Sequence, residues 1–374
     1  MTEPRGNPDG RGKEGDHSDR PRREGSPEGR PPAHGVLIVD KPLKLTSHDV
    51  VARARRALGT KRIGHAGTLD PMASGVLVLL AGEATKLAPF LTAHDKRYEA
   101  AVTLGAATDT LDAAGSITAE ASVPSELLDE IERAIAIANE RGPLSGADLA
   151  EEAPLLRRAI EGEQARTEQT PPAYSAIKVG GQRSYDRARA GEVIDLEPRA
   201  VRVLSLRLLP RPRNAGAGAD TGAEAISNAR PTLHLDLEVS KGYYVRSFAR
   251  DLGDRLGVPA HLSALHRTRS GPFRVESAVP LSAGPEALRA ALVPIERAAA
   301  ESLPAARLTE AGAARARNGK TMSPSDFTVP PPASGELSAW LDPTGELVAV
   351  GLAEGLHLVI RRGFARKEIV SQNP

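Results

Sequence analysis

Cysteine is absent from this 374-residue chain. Its absence excludes disulfides, thiolate metal sites and a cysteine nucleophile, and it suits a reducing cytosol. No apolar run approaches the roughly 18 residues of a membrane span. The first residues also lack the apolar core of a secretion signal. A cytoplasmic protein with no membrane partner is therefore expected. An excess of charge of one sign is lacking too, since the formal net charge is +1. By itself that value predicts no polyanionic partner, so local clusters must decide. Aromatic residues make up only 3% of the chain, which makes the position of each one informative. There is no internal repeat and no regular alternation of strand and helix.

Hydrophobic residues are present at 40%, enough for a core, in a chain long enough for two domains. Residues Met1 to about Ala33 are Gly, Pro, Arg, Glu, Asp and Ser, the composition of a disordered tail. Val36-Leu37-Ile38-Val39 reads as a buried strand ended by Asp40-Lys41-Pro42. Ser47 is a candidate cap for a helix with Val50, Val51, Ala54, Ala57 and Leu58 on one face. Val76 to Leu80 reads as a central strand, and Gly82 to Lys86 opens a short helix.

Lys96 to Leu104 reads as a half-buried strand, and residues about 124 to 138 as an amphipathic helix. The polar stretch 141–166 looks like an insertion or an extended surface helix, and Asn214 to Asn228 like a loose hairpin loop. Strands are expected at Ala200–Leu209 and Thr232–Val239, a helix through Val245 to Leu256, and further helix over about 275 to 300. From 303 to 367 the texture becomes mostly β. A hairpin is centred on the turn Asp342-Pro343-Thr344-Gly345, and another strand follows at Leu356 to Ile360. The expected class is α+β on a mixed or antiparallel sheet.

The most informative stretch is Gly64-His65-Ala66-Gly67-Thr68-Leu69-Asp70-Pro71. It sets one carboxylate at the end of a glycine-punctuated loop, between the basic Lys61 and Arg62 and an apolar strand. Taken alone, this is an ordinary Asp-Pro turn feeding a buried strand. It is also a plausible seat for a nucleophile that works on a polyanion.

Three further runs decide between these readings. They are Asp40-Lys41-Pro42, Pro171-Pro172-Ala173-Tyr174-Ser175-Ala176-Ile177-Lys178 and Ser240-Lys241-Gly242-Tyr243-Tyr244-Val245-Arg246-Ser247. Together with the Asp70 loop and its continuation through Gly82-Glu83-Ala84-Thr85-Lys86, the chain resembles the TruB-type tRNA pseudouridine synthases over about residues 34 to 275. Gln169-Thr170-Pro171-Pro172 keeps part of that family's approach to the Pro-Pro-x-Tyr-Ser run.

The resemblance implies a pseudouridine-synthase-like mixed or antiparallel sheet with flanking helices over 34–300, and a small, mostly-β, PUA-like C-terminal domain over 303–367. It implies isomerisation of uridine-55 in the T-loop of tRNA, with base flipping. It makes Asp70 the nucleophile, with Arg246 its cationic partner and Tyr98 a stacking platform that assists proton transfer. Tyr244 would line the same pocket, His65 would prop the RNA where nucleotides are extruded, and Lys41 and Lys86 would support the loop or meet phosphates. The reaction exchanges an N–C for a C–C bond within one nucleotide, so no cofactor or metal is expected. The expected partner is tRNA, bound by a monomer.

Three rivals carry distinct requirements. A catalytically idle tRNA chaperone has no use for a nucleophile, and a pseudouridine synthase with another RNA target would differ outside the catalytic region. A carboxylate-pair glycosidase needs a second acid beside Asp70, for which Glu83 and Asp109 are the candidates.

Overall fold

The computed structural model describes residues 33–149, 151–175, 177–179, 182–184, 187, 192, 196–212, 230–355 and 357–365. The tail over 1–32 and the stretch 214–228 therefore lie outside the described residues.

The first strands are β1 (Gly35–Lys41), β2 (Ile63–His65), β3 (Ala73–Ala81) and β4 (Lys96–Leu104). They are followed by β5 (Val203–Leu208), β6 (Thr232–Val239), β7 (Ala260–Ser270) and the short β8 (Val279–Pro280). All eight lie in one mixed sheet, whose path runs β5-β6-β4-β7-β3-β1-β8, with β2 on β3. Most neighbours are antiparallel, but β7 runs parallel to β3, pairing Leu265 with Ala73 and Arg267 with Gly75.

The strands β1 and β3 read as continuous apolar runs because both faces of the sheet are covered. Leu37, Val39, Leu77 and Leu79 point into one core, while Val36, Ile38, Val76, Val78 and Leu80 point into another. Helices α1 (Ser47–Leu58), α2 (Ser125–Arg141), α3 (Pro154–Gln164) and α4 (Val245–Leu256) supply apolar faces to the first core. The second core is shared by α5 (Ile295–Ser302) and a five-stranded C-terminal sheet. That sheet is formed by β9 (Ala305–Leu308), β10 (Phe327–Val329), β11 (Ser338–Leu341), β12 (Leu347–Glu354) and β13 (His357–Gly363), in the order β10-β9-β11-β12-β13.

Several expectations shift in detail. The cap of α1 is Thr46, which forms a capping box with Asp49, and Ser47 is buried and turned elsewhere. The 141–166 segment is not a surface excursion. It carries α3, whose Leu156, Ala159, Ile160 and Glu163 are buried. Its polar texture reflects three ion pairs: Glu163 is fully buried between Arg166 and Arg255, both at 2.6 Å, and Arg166 also meets Asp251 at 3.3 Å. The stretch 260–270, which has no clear apolar period, is the central strand β7. No helix among the described residues is long and apolar enough to cross a membrane.

Candidate active site

The Asp70 loop leaves β2 at His65 and enters β3 at Ala73, and it is tied down on both flanks. From below, Arg267 on β7 donates through Nε to Val76 O at 2.7 Å, through Nη2 to Gly67 O at 3.2 Å and through Nη1 to Thr68 O at 3.3 Å. From the side, Ser47 on α1 accepts from Leu69 N–H at 2.9 Å and donates to Leu69 O at 3.1 Å. Beyond the carboxylate, Ala73 N–H closes on Asp70 O at 3.1 Å and Lys44 N–H donates to Pro71 O at 2.8 Å. Gly75 sits at φ +97°, where a Cβ would stand 2.3 Å from Arg267 O, so only glycine lets β3 and β7 approach this closely.

Arg246 enters from the first turn of α4. Its guanidinium grips Asp70 in a fork, Nε to Oδ2 at 2.9 Å and Nη2 to Oδ1 at 3.3 Å. The remaining donors reach Thr110 O at 3.1 Å and Tyr174 O at 2.9 Å, and Asp112 Oδ2 lies 3.7 Å from Nε. The Arg246 side chain is 8% exposed, whereas that of Asp70 is 35% exposed. The carboxylate is thus anchored from behind and open in front.

The start of α4 is itself fixed by Gln169. Its amide oxygen accepts from Tyr244 N–H at 2.8 Å, and its NH2 donates to Tyr244 O at 3.1 Å. Ser247 Oγ donates to Thr170 O at 2.9 Å. The Pro-Pro-x-Tyr run is therefore docked on the helix end that carries Arg246.

In front of Asp70 opens a cleft of about 610 Å3, walled by Tyr98, Tyr174, Tyr243, Tyr244 and Arg246, with Lys96 and Arg267 in its floor. Three of the expected residues, Asp70, Tyr98 and Arg246, meet there together with Tyr244. Tyr98 is a buried β4 residue standing opposite Arg267 of β7 and Leu237 of β6. Burial raises the Tyr244 phenol above its ordinary range, with a smaller push from Asp70.

The other three expected residues lie outside the cleft lining. His65 stands behind His48, which does line the cleft, with the rings edge to face at 5.8 Å. Burial holds the His65 imidazole below its usual range, helped by His48 and Arg267. Lys41 is fully buried and donates to Pro42 O at 2.9 Å and Leu45 O at 2.7 Å, so it braces the loop before α1. Burial lowers its ammonium to about 8 against the pull of Asp70, and Arg267 adds to the lowering. Lys86 pairs with Glu83 at 2.6 Å and donates to Gly363 O at 3.3 Å, which ties the turn after β3 to the C-terminal sheet. Of the two candidate second acids, Glu83 is taken by Arg62 and Lys86, and Asp109 Oδ1 accepts from Ser116 N–H. Neither lines the cleft.

Sequence reasoning missed Arg267, Lys96, Asp112 and the Gln169 clasp. A signal existed for Lys96, which lies two residues before Tyr98 on a strand and hence on the same face. Arg267 lies in a run, His266-Arg267-Thr268-Arg269, that reads as solvent-facing.

Residues 55–143 and 147–245 match the TruB family pseudouridylate synthase N-terminal domain, and residues 246–300 match the tRNA pseudouridylate synthase B C-terminal domain. With the sheet-borne cleft, these matches define the class of the protein as a pseudouridylate synthase. The chain is 41% identical to the tRNA pseudouridine synthase B of Deinococcus radiodurans over 345 residues, 88% of this chain and 99% of that one. It is 44% identical to that of Thermobifida fusca over 300 residues, 80% of this chain and 89% of that one. The chain belongs to the TruB family. Its fold is also that of the solved Cbf5–Nop10–Gar1 complex, with 24% identity and a TM-score of 0.61 over 89% of this chain and 85% of that one.

Proposed function

We propose that this protein isomerises uridine-55 in the T-loop of tRNA to pseudouridine, with Asp70 as the nucleophile. The observation that carries the reading is the Asp70–Arg246 fork, whose carboxylate faces a cleft lined by Tyr98. A binder needs no such group. The fork fixes the carboxylate's rotamer while leaving its outer edge free, which is the geometry a positioned nucleophile needs.

A uridine inside a folded loop cannot reach Asp70, so the nucleotide is flipped out at a cost of about a few kcal/mol. Stacking on Tyr98 returns about 1–3 kcal/mol of that. The cleft lies within the range of about 300–1,000 Å3 typical of small-molecule sites. Tyr244 closes one side, and His65, acting through His48, backs the wall that the displaced RNA meets. Lys41 acts through the loop it braces. The protein works in the cytoplasm as a monomer on the T-loop and stem of tRNA.

The test is incubation with an unmodified tRNA transcript, followed by chemical adduct formation at pseudouridine and primer extension. Product at position 55 is expected, and its absence would overturn the proposal. Asp70→Asn is expected to bind tRNA like the parent and to make no product. Turnover by that variant would remove Asp70 from the nucleophile's role. Product at another RNA position would favour a different target.

A further inference from the structure

The cleft floor carries more positive charge than Asp70 requires. Lys96 and Arg267 are both buried there, and among the described residues neither has a carboxylate in ion-pair contact. Arg267 is spent on the Val76, Gly67 and Thr68 carbonyls. Lys96 is placed differently. Its ammonium has three hydrogens, of which two go to Thr92 O at 2.6 Å and His94 O at 2.5 Å. One donor is left.

Lys96 precedes Tyr98 by two residues on β4, so both side chains rise from the same face, about 7 Å apart along the strand. A base stacked on Tyr98 therefore lies beside this ammonium. Burying an unpaired cation is costly unless something offsets it, and here the backbone carbonyls at the end of the preceding turn hold it in place.

We propose that Lys96 is a catalytic residue of this site: it donates to a carbonyl oxygen of the uracil base and stabilises the negative charge that the base acquires as its bond to the sugar breaks. The proposal rests on the functional reading above. When C1′–N1 breaks, the bonding pair stays with N1 and spreads onto the two carbonyl oxygens of the ring. The base then turns, and C5 supplies the pair that forms the new bond to C1′. C5 loses its proton and N1 gains one, so atoms and charge balance without any added reactant. The costly species is the detached base anion, and a fixed cation beside it acts where charge develops. Burial lowers the Lys96 ammonium to about 8, with Arg267 and Lys241 adding to the lowering and Asp95 opposing it, which makes it a stronger donor than an exposed lysine.

The test compares Lys96→Met and Lys96→Arg with the parent in single-turnover reactions on two transcripts, one with uridine and one with 5-fluorouridine at the target. Fluorine withdraws charge from the ring, so 5-fluorouracil leaves readily without help. Lys96→Met is expected to slow uridine conversion about 100-fold, the scale of losing one preorganised donor. It should slow loss of the 5-fluorouridine nucleoside far less, with tRNA affinity within a few-fold of the parent. Lys96→Arg keeps the charge and should stay within about tenfold on uridine. Should Lys96→Met fail to fold, Lys96→Arg carries the same comparison through the ratio of its two rates. Equal slowing on both substrates, or none, overturns the proposal. Absence of product from the unmutated chain would overturn the functional reading as well, whereas parental activity with an indifferent Lys96→Met overturns this proposal alone.

Discussion

Removing Arg246 should reveal how strongly the site depends on it. Arg246→Met deletes four hydrogen bonds: two to Asp70, and one each to Thr110 O and Tyr174 O. It also leaves the buried Asp112 without the cation 3.7 Å away. Losing one partner of a buried pair costs about 3–5 kcal/mol, but Asp70 is 35% exposed and rehydrates in part. The expected loss of stability is therefore about 3–4 kcal/mol, large against total stabilities of about 5–15 kcal/mol. Asp70→Asn keeps the shape and leaves Arg246 its two carbonyls and Asp112, so it should cost about 1 kcal/mol. Because the two side chains meet in the fork, the double variant should fall short of the sum by about 1–2 kcal/mol. The assay is urea unfolding of the four proteins at neutral pH, with single-turnover rates in parallel. A double variant additive to within about 0.5 kcal/mol would refute the coupling.

Gly75→Ala should lose more than about 3 kcal/mol in the same assay, because it adds left-handed strain to a Cβ 2.3 Å from Arg267 O. A variant as stable as the parent would refute the β3–β7 register. In the C-terminal hairpin, Asp342 is partly opposed by burial, yet bonds from Thr344, Arg317 and Glu346 hold its carboxyl down at about 2. A folded value below the unfolded one of about 4 means stability present above pH 4 and lost as pH falls toward 2, about 2 kcal/mol in all. Acid unfolding of Asp342→Asn should lack that component, and an unchanged acid limb would count against it.

The parts of the fold legible in the sequence are those whose causes are local. The strands β1 and β3 show as apolar runs because both of their faces are buried, and β6 and α4 emerge at their observed bounds, Thr232–Val239 and Val245–Leu256. Asp70 and Arg246 are legible through motif order, and Tyr98 through the family resemblance those motifs establish, since the loop alone reads as a turn. What stayed hidden depends on partners far along the chain. Arg267 looks exposed until Gly67, Thr68 and Val76 present their carbonyls to it. Ser47 looks like a cap until Leu69 meets it. Glu163 makes α3 look like a surface helix until Arg255 neutralises it from α4.

The place of β7 between β4 and β3 bears on how the enzyme is born. Along the sheet path, β1 and β3 form one ribbon and β4, β5 and β6 another, and β7 is the strand that stitches them together. A chain emerging from the ribosome makes Asp70 early, but the Arg267–Gly67 clasp spans 200 residues. Pairing at such separations is slow to form. Until residue 270 has left the ribosomal tunnel, the two ribbons lack their seam and the Asp70 loop lacks its floor. A chain cut short before β7 would therefore carry Asp70 without the strand whose Arg267 holds its loop.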